Sequence, residues 1–137
     1  MALVLDTGPL LAAFDAADPD HEPCAALLTE TAEDLVVPTL VLGELDYWCA
    51  ERLDPGVWLA FLDDVLAGAY RVEPPTGADL ERCRGIQEQY ADRTVGVVDS
   101  SVLALVERLG EDKLATLDHR HFSVMRPAHA EALRLLP

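Results

Sequence analysis

The chain has 137 residues, of which 50% are hydrophobic and 26% are charged, a composition that excludes a disordered chain and fits one globular domain. The formal net charge is −15, and residues 1–51 contain eleven acids and no Lys or Arg, so that part of the chain repels nucleic acid. No apolar run reaches the roughly 18–20 residues of a membrane helix, and neither a basic leader nor a C-x-x-C pair is present, so we expect a cytoplasmic protein with reduced thiols and no membrane segment.

The first half of the chain is predicted to form two short strands, each followed by helix. The strands are the apolar runs "ALVL" and "LVVP", and the helices follow structure-breaking residues or the turn "DPDHEP". In chain order the predicted elements are strand 2–5, helix 9–16, helix 23–33, strand 35–38 and helix 40–52 with Thr39 as its N-cap.

The second half continues the alternation of helices with short strands. Its predicted elements are a helix in "PGVWLAFLDDVLAG" ended by Gly68, strand 70–74, helix 77–91 capped by Thr76, helix 99–109 ended by Gly110, and strands 114–117 and 122–125. Short buried strands that alternate with helices favour an α/β fold in which a mainly parallel sheet lies between layers of helices. We expect residues 1–137 to form one such domain.

Four acidic residues occupy equivalent positions in these elements. Asp6 ends the first strand and Asp118 ends the strand "LATL", whereas Glu44 and Asp99 lie in the first turns of helices. In a parallel sheet the carboxyl ends of the strands and the amino ends of the following helices share one edge, so the four carboxylates can converge there. Taken singly, each acid has an ordinary explanation as a helix cap, a turn residue or a solvated helix residue.

A cluster of four carboxylates requires a counterion, because like charges a few ångströms apart repel strongly in a partly buried site. Oxygen ligands of this kind favour Mg²⁺ or Mn²⁺. Two such ions about 3.5–4 Å apart activate water and stabilise the leaving oxygen in phosphodiester cleavage. Most of the acidity is otherwise explained by solubility. A polyanionic substrate would approach over the second half, where ten basic residues accompany fourteen acids.

The segments around these acids read "VLDTGPLLA", "PTLVLGELDYW", "GVVDSSVLALVERLG" and "LATLDHRHFSVMRP". Over nearly its full length the chain resembles the PIN-domain nucleases, particularly the VapC-type toxins of bacterial toxin–antitoxin pairs. The resemblance implies a PIN-like α/β/α sandwich that uses Mg²⁺, for which Mn²⁺ can substitute, to hydrolyse RNA. It maps the family's acidic residues onto Asp6, Glu44, Asp99 and Asp118. It also implies a homodimer and inhibition by a cognate antitoxin with a basic or arginine-bearing segment.

Several neighbours of the four acids are further candidates. Asp92, in "QYADRTVGVVD", matches another acid often seen in the subgroup that the chain resembles. Thr7 and Thr116 either hydrogen-bond the carboxylates or simply suit the ends of strands. Gly8 would let the backbone turn beside the ion.

The basic residues after Asp118 are candidates for contact with the substrate. Arg120 can bind a phosphate. His119 and His121 can assist proton transfer, although histidines in loops are more often solvated, which is the interpretation we favour for them.

Three other functions are considered from the sequence. The chain can be a non-catalytic PIN-like module whose acidic rim binds a basic partner peptide. An aspartic protease also carries "DTG", but it needs two such loops on an all-β frame, and this chain has one copy and many helices. A receiver-like signalling domain is disfavoured because Lys113, the only lysine, does not end a late strand.

Overall fold

The structure, a computed structural model, describes residues 1–137. It contains strands, helices and one 3₁₀ turn at Ala91–Arg93. The strands are β1 (Ala2–Leu5), β2 (Asp34–Pro38), β3 (Arg71–Glu73), β4 (Lys113–Ala115) and β5 (Arg134–Leu136). The helices are α1 (Thr7–Phe14), α2 (His21–Glu30), α3 (Thr39–Arg52), α4 (Pro55–Leu66), α5 (Gly77–Gln89), α6 (Val97–Leu109) and α7 (His119–Phe122).

All five strands form one parallel sheet in the order β3-β2-β1-β4-β5. At its centre, Val4 of β1 pairs with Val36 of β2 and with Leu114 of β4. Every residue of β1 and β4 is buried, as expected for strands that are covered by helices on both faces and therefore need continuous apolar runs. The predicted α/β fold with a mainly parallel sheet is confirmed.

The strand order creates a crevice at the carboxyl edge of the sheet. β1 pairs with β2 on one side and with β4 on the other, so the direction in which the chain adds strands reverses beside β1. Ligands of open parallel sheets bind outside the carboxyl ends of the strands at such a point. Asp6 directly follows β1 and Thr116 directly follows β4, so both lie at this crevice.

The predicted strand 122–125 is wrong. Phe122 ends helix α7, and Phe122 and Met125 are both buried. Their i, i+3 spacing is that of one helical face, so the apolar pattern of "FSVM" reflects a helical turn and not a strand. The fifth strand is instead Arg134–Leu136, which pairs with β4.

Four helices, α1, α2, α3 and α6, begin one or two residues earlier than the sequence suggests. α1 begins at Thr7, immediately after Asp6, although a glycine and Pro9 follow. Pro9 lies in the first turn, where its missing N–H has no intrahelical partner to lose. α6 begins at Val97, so Asp99 is the third residue of the helix and not its cap.

The predicted helix caps are only partly correct. The hydroxyl of Thr76 accepts a hydrogen bond from the N–H of Asp79 at 3.1 Å, and the Asp79 carboxylate accepts one from the N–H of Thr76 at 3.0 Å, a complete capping box for α5. Gly110 ends α6 in the left-handed region with a φ of 68°. Thr39 is not a cap, because it is the first residue of α3 and Pro38 is the N-cap.

The amino edge of the sheet carries a buried network of paired charges. Glu111 accepts a hydrogen bond from the N–H of Ala2 at 2.8 Å. The Nζ of Lys113 lies 3.0 Å from Glu111 and 2.9 Å from Glu33. Glu33 and Glu111 therefore share a cationic partner from the chain itself.

The cysteines Cys24, Cys49 and Cys83 are buried and form no disulfide, in agreement with the sequence. Burial raises the pKa of each thiol, to about 11 for Cys24, so the thiols stay protonated. None of the helices combines the length and the apolar character needed to cross a bilayer.

Candidate active site

Asp6 is held at the carboxyl end of the central strand by the backbone and by one hydroxyl. Its N–H donates a hydrogen bond to the carbonyl oxygen of Ala115 at 2.9 Å. Thr116 Oγ1 donates to Asp6 Oδ2 at 2.8 Å, and Thr116 is fully buried. Asp6 is only 6% exposed, which is unusual for an aspartate without a positively charged partner.

Thr116 also connects Asp6 to Asp118. The Oγ1 atom that donates to Asp6 accepts a hydrogen bond from the N–H of Asp118 at 3.0 Å. Asp118 Oδ1 in turn accepts a hydrogen bond from the N–H of His121 at 3.1 Å and caps α7. One buried hydroxyl therefore orients two acidic residues at the crevice.

Glu44 reaches the same crevice from the second turn of α3. Thr7 Oγ1 donates a hydrogen bond to Glu44 Oε1 at 2.6 Å, which connects the start of α1 to α3. The charge of Glu44 contributes to raising the pKa of both Asp6 and Asp99. The Glu44 carboxylate therefore acts on the same site as the other acids.

His121 lies between the carboxylates of Asp99 and Asp118. Its Nδ1 is 2.8 Å from Asp118 Oδ2 and 3.3 Å from Asp99 Oδ2. One potential ligand atom from each of the three residues lies within 4.8 Å of the other two. All three residues are partly exposed, so this part of the crevice is open to solvent.

Burial and mutual repulsion both oppose ionisation of the acids. Burial is the main reason that the pKa of Asp6 is raised, and the charges of Glu44 and Asp118 raise it further. Burial, followed by the charges of Asp6 and Asp118, raises the pKa of Asp99 to about 6, although His121 acts in the opposite direction. Such mutual effects act between carboxylates that lie near one another.

The charge of this cluster is not balanced by the chain's own cations. No Lys or Arg forms an ion pair with Asp6, Glu44, Asp99 or Asp118, and His121 is the only basic residue in contact with them. A divalent cation at the crevice would offset the repulsion that raises the pKa values. A donor set rich in carboxylate oxygens fits Mg²⁺ or Mn²⁺.

Asp92 and Arg120 lie beside the acidic cluster and not within it. Asp92 belongs to the exposed 3₁₀ turn, and its charge is not among those that shift the pKa of Asp99. Both residues line an open cleft of about 310 Å³ that His121 also borders. They are therefore placed to meet a ligand that extends beyond the acids.

The expectation that His121 is a solvated loop residue is wrong. His121 belongs to the short helix α7, in which its side chain and that of Asp118 are separated by three positions. Side chains at i and i+3 of a helical turn are neighbours. The spacing was therefore visible in the sequence, but it has this meaning only if the segment is helical.

The predicted role of Gly8 is also wrong. Gly8 lies inside α1 and needs no backbone turn. A Cβ at this position would lie 3.3 Å from the Cβ of Leu117, so the glycine allows α1 to pack closely against the segment that leads to Asp118.

Comparison with known proteins shows relatives over nearly the whole chain. The sequence pattern of the PIN domain matches residues 3–126. Over 135 residues the chain is 35% identical to Ribonuclease VapC26 of Mycobacterium tuberculosis, an alignment that covers 98% of this chain and 100% of that protein.

Solved structures share the fold. The structure of VapC20 from Mycobacterium tuberculosis, described as a sarcin-ricin loop cleaving toxin, matches with a TM-score of 0.81 at 20% identity, over 93% of this chain and 98% of that chain. DNA-bound VapBC from Salmonella typhimurium matches with a TM-score of 0.71 at 17% identity, over 98% of this chain and 96% of that chain.

Proposed function

Because this chain belongs to the PIN-domain family, we propose that it is a Mg²⁺-dependent endoribonuclease, with Mn²⁺ as a substitute, that acts as the VapC-type toxin of a toxin–antitoxin pair. The observation that carries the proposal is the convergence of Asp6, Glu44, Asp99 and Asp118 without a Lys or Arg partner. RNA as the substrate is supported by the name of the relative, Ribonuclease VapC26.

The four carboxylates are the proposed ligands of the ion. Asp99 and Asp118 offer oxygens within 4.8 Å of each other, Asp6 lies at the end of β1, and Glu44 approaches from α3. When bound, the ion supplies positive charge that activates the attacking water and stabilises the leaving oxygen of phosphodiester hydrolysis.

Three further residues hold these carboxylates in place. Thr116 donates to Asp6, and Thr7 donates to Glu44. His121 keeps its ring nitrogen between the other two carboxylates. Such contacts fix the orientation of acidic ligands, and their loss lowers metal affinity and activity. We therefore assign Thr7, Thr116 and His121 as positioning residues.

The proposed inhibitor is a cognate antitoxin with a basic or arginine-bearing segment. A guanidinium group inserted among the unpaired carboxylates would supply the positive charge that the ion otherwise provides. The likeness of the fold to toxin–antitoxin complexes such as VapBC supports this kind of partner. We further propose that residues 1–137 form a single domain that acts as a cytoplasmic homodimer.

A second candidate function is a binding module without catalysis. The same observation favours it, because uncompensated carboxylates can receive a basic peptide without any metal. In this alternative the acidic cluster serves only to bind the partner, and the chain does not hydrolyse RNA.

RNA cleavage by the purified chain separates the two functions. With Mg²⁺ present we expect cleavage of single-stranded or looped RNA that EDTA abolishes. Asp99→Asn should reduce the rate by about a hundredfold or more, because it removes a metal ligand. The rate is measured from the appearance of labelled fragments.

The matched control is Asp63→Asn, which removes one negative charge from an exposed position of α4. It should cleave at the wild-type rate. Equal rates for wild type and Asp99→Asn, or cleavage that persists in EDTA, would contradict the proposed site.

A further inference from the structure

Most basic residues of the chain are already engaged by its own side chains. Of the ten Lys and Arg residues, Arg52 lies over the ring of Trp48. Six others form ion pairs with acidic side chains: Arg71, Arg82, Arg84, Arg108, Lys113 and Arg134. The remaining three, Arg93, Arg120 and Arg126, form neither contact. In a chain of net charge −15, such cations are available to an external anion.

Two of these three arginines lie together beside the acidic cluster. Arg93 from the 3₁₀ turn and Arg120 from α7 line the open cleft of about 310 Å³, together with Asp92, Thr94 and His121. No apolar side chain lines this cleft, so it does not suit a hydrophobic ligand. His121 belongs to both regions, because its ring also contacts two carboxylates of the cluster.

We propose that this cleft binds a backbone phosphate of the RNA next to the phosphate that is cleaved, an inference that rests on the proposed function. Guanidinium groups bind phosphate oxygens through paired hydrogen bonds. Two arginines outnumber the single carboxylate of Asp92 in the cleft. Thr94 adds a hydroxyl that can donate to a phosphate oxygen.

The position of the cleft also accounts for how a polyanion reaches an acidic protein. Repulsion by the distant acids is screened over about 8 Å at physiological salt. Within that distance the RNA meets Arg93 and Arg120, which have no acidic partner. The cleft binds the sugar–phosphate backbone and not the bases, so it contributes affinity and orientation but no sequence preference.

The backbone conformation of Thr94 is a second feature of the cleft that is consistent with a functional role. Thr94 has a φ of 54° and is the one residue other than glycine with a positive φ. Threonine is β-branched and rarely adopts this region. Unfavourable backbone conformations persist where surrounding structure or function requires them, and this one lies between Arg93 and the start of α6.

The test is binding of a short fluorescent single-stranded RNA to the full chain carrying Asp99→Asn, with Mg²⁺ present, over a series of salt concentrations. Addition of Arg93→Ala or Arg120→Ala should weaken binding about tenfold, since each removes a phosphate contact. The double variant Arg93→Ala/Arg120→Ala, which removes both cations of the cleft, should reduce the slope of log K against log salt by about 0.7, the value for one phosphate of a single strand.

Arg126→Ala is the matched control, because Arg126 is exposed and unpaired but lies outside the cleft. It should change affinity by less than about twofold. Thermal melting of every variant checks that the fold is retained. The charge is kept in Arg93→Lys and Arg120→Lys. These two variants should therefore recover part of the affinity and the full salt slope.

The inference is overturned if Arg93→Ala and Arg120→Ala bind RNA like the parent, or if Arg126→Ala loses as much affinity as they do. Cleavage by the wild-type chain is measured in parallel. Cleavage without arginine-dependent binding overturns this inference alone, whereas arginine-dependent binding without cleavage supports the cleft and overturns the proposed catalysis.

Discussion

Asp99 meets opposing requirements in the metal-free chain and in the proposed metal-bound chain. It is partly buried, and its pKa is raised to about 6 by burial and by the charges of Asp6 and Asp118. Near neutral pH the ionised carboxylate therefore destabilises the metal-free fold, while the same ionised form is the one that binds a cation. The neutral form of Asp99 therefore favours stability, whereas its ionised form favours the proposed function.

Asp99→Asn should stabilise the metal-free chain near neutral pH. Because the folded pKa is raised above the unfolded value, the favourable contribution of protonated Asp99 is complete below about pH 4 and is lost as the pH rises through about 6. At pH 7.5 we expect the variant to gain about 1–2 kcal/mol, after allowance for solvent screening. Denaturant unfolding in EDTA measures the free energy of unfolding.

The gain should shrink to near zero at about pH 4, which distinguishes it from a general effect of asparagine on the helix. Asp63→Asn on α4 is the control and should show no comparable change between the two pH values. If Asp99→Asn were less stable than wild type at pH 7.5 in EDTA, the repulsion inferred for the cluster would be absent.

The positions that the sequence predicts for the four acids follow from simple geometry. Asp6 and Asp118 lie after strands, and Glu44 and Asp99 lie near the starts of helices, so a parallel sheet brings them to one edge. His121 could not be placed in the same way. Its contact with the acids depends on α7 being helical, whereas the apolar pattern of "FSVM", which begins at the last residue of α7, favours a strand.

Among the strands and helices, the sequence best predicts those with a buried apolar run or a clear capping signal. β1 and β2 are buried apolar runs and were located within about a residue, and α5 was located by its Thr76 capping signal. α7 has four residues, which is too short for a periodic pattern. The positions of β5 and α7 are set by pairing with β4 and by contacts at the crevice, which no local pattern encodes.

The packing of α1 against the segment after β4 predicts opposite effects for two glycine substitutions. Gly8→Ala places a Cβ about 3.3 Å from the Cβ of Leu117, so it should destabilise by about 1 kcal/mol through overpacking. Gly85→Ala in α5 meets nothing within 4 Å and should stabilise by about 0.5–1 kcal/mol through helix propensity.

Denaturant unfolding of both variants gives the comparison directly, and Gly85→Ala serves as the control for the general effect of alanine in a helix. Gly8→Ala should also slow RNA cleavage, because Leu117 immediately precedes Asp118. A gain in stability for Gly8→Ala equal to that of Gly85→Ala would show that α1 does not pack tightly at this point.

Across the whole molecule, acidic residues at the two edges of the sheet differ in their ion-pair partners. At the amino edge Lys113 forms ion pairs with Glu33 and Glu111 at 2.9 and 3.0 Å. At the carboxyl edge four acids share no Lys or Arg partner, and His121 alone contacts them. This contrast supports the proposed requirement for a bound cation at the carboxyl edge.

Anomalous X-ray diffraction from crystals of the full chain equilibrated with Mn²⁺ is the most direct test of that requirement. We predict a Mn²⁺ peak at the crevice, within coordination distance of Asp99 and of at least one other of the four acids, and loss of the peak in Asp99→Asn. An empty crevice at saturating Mn²⁺, or a peak bound only by exposed acids elsewhere on the surface, would contradict the account.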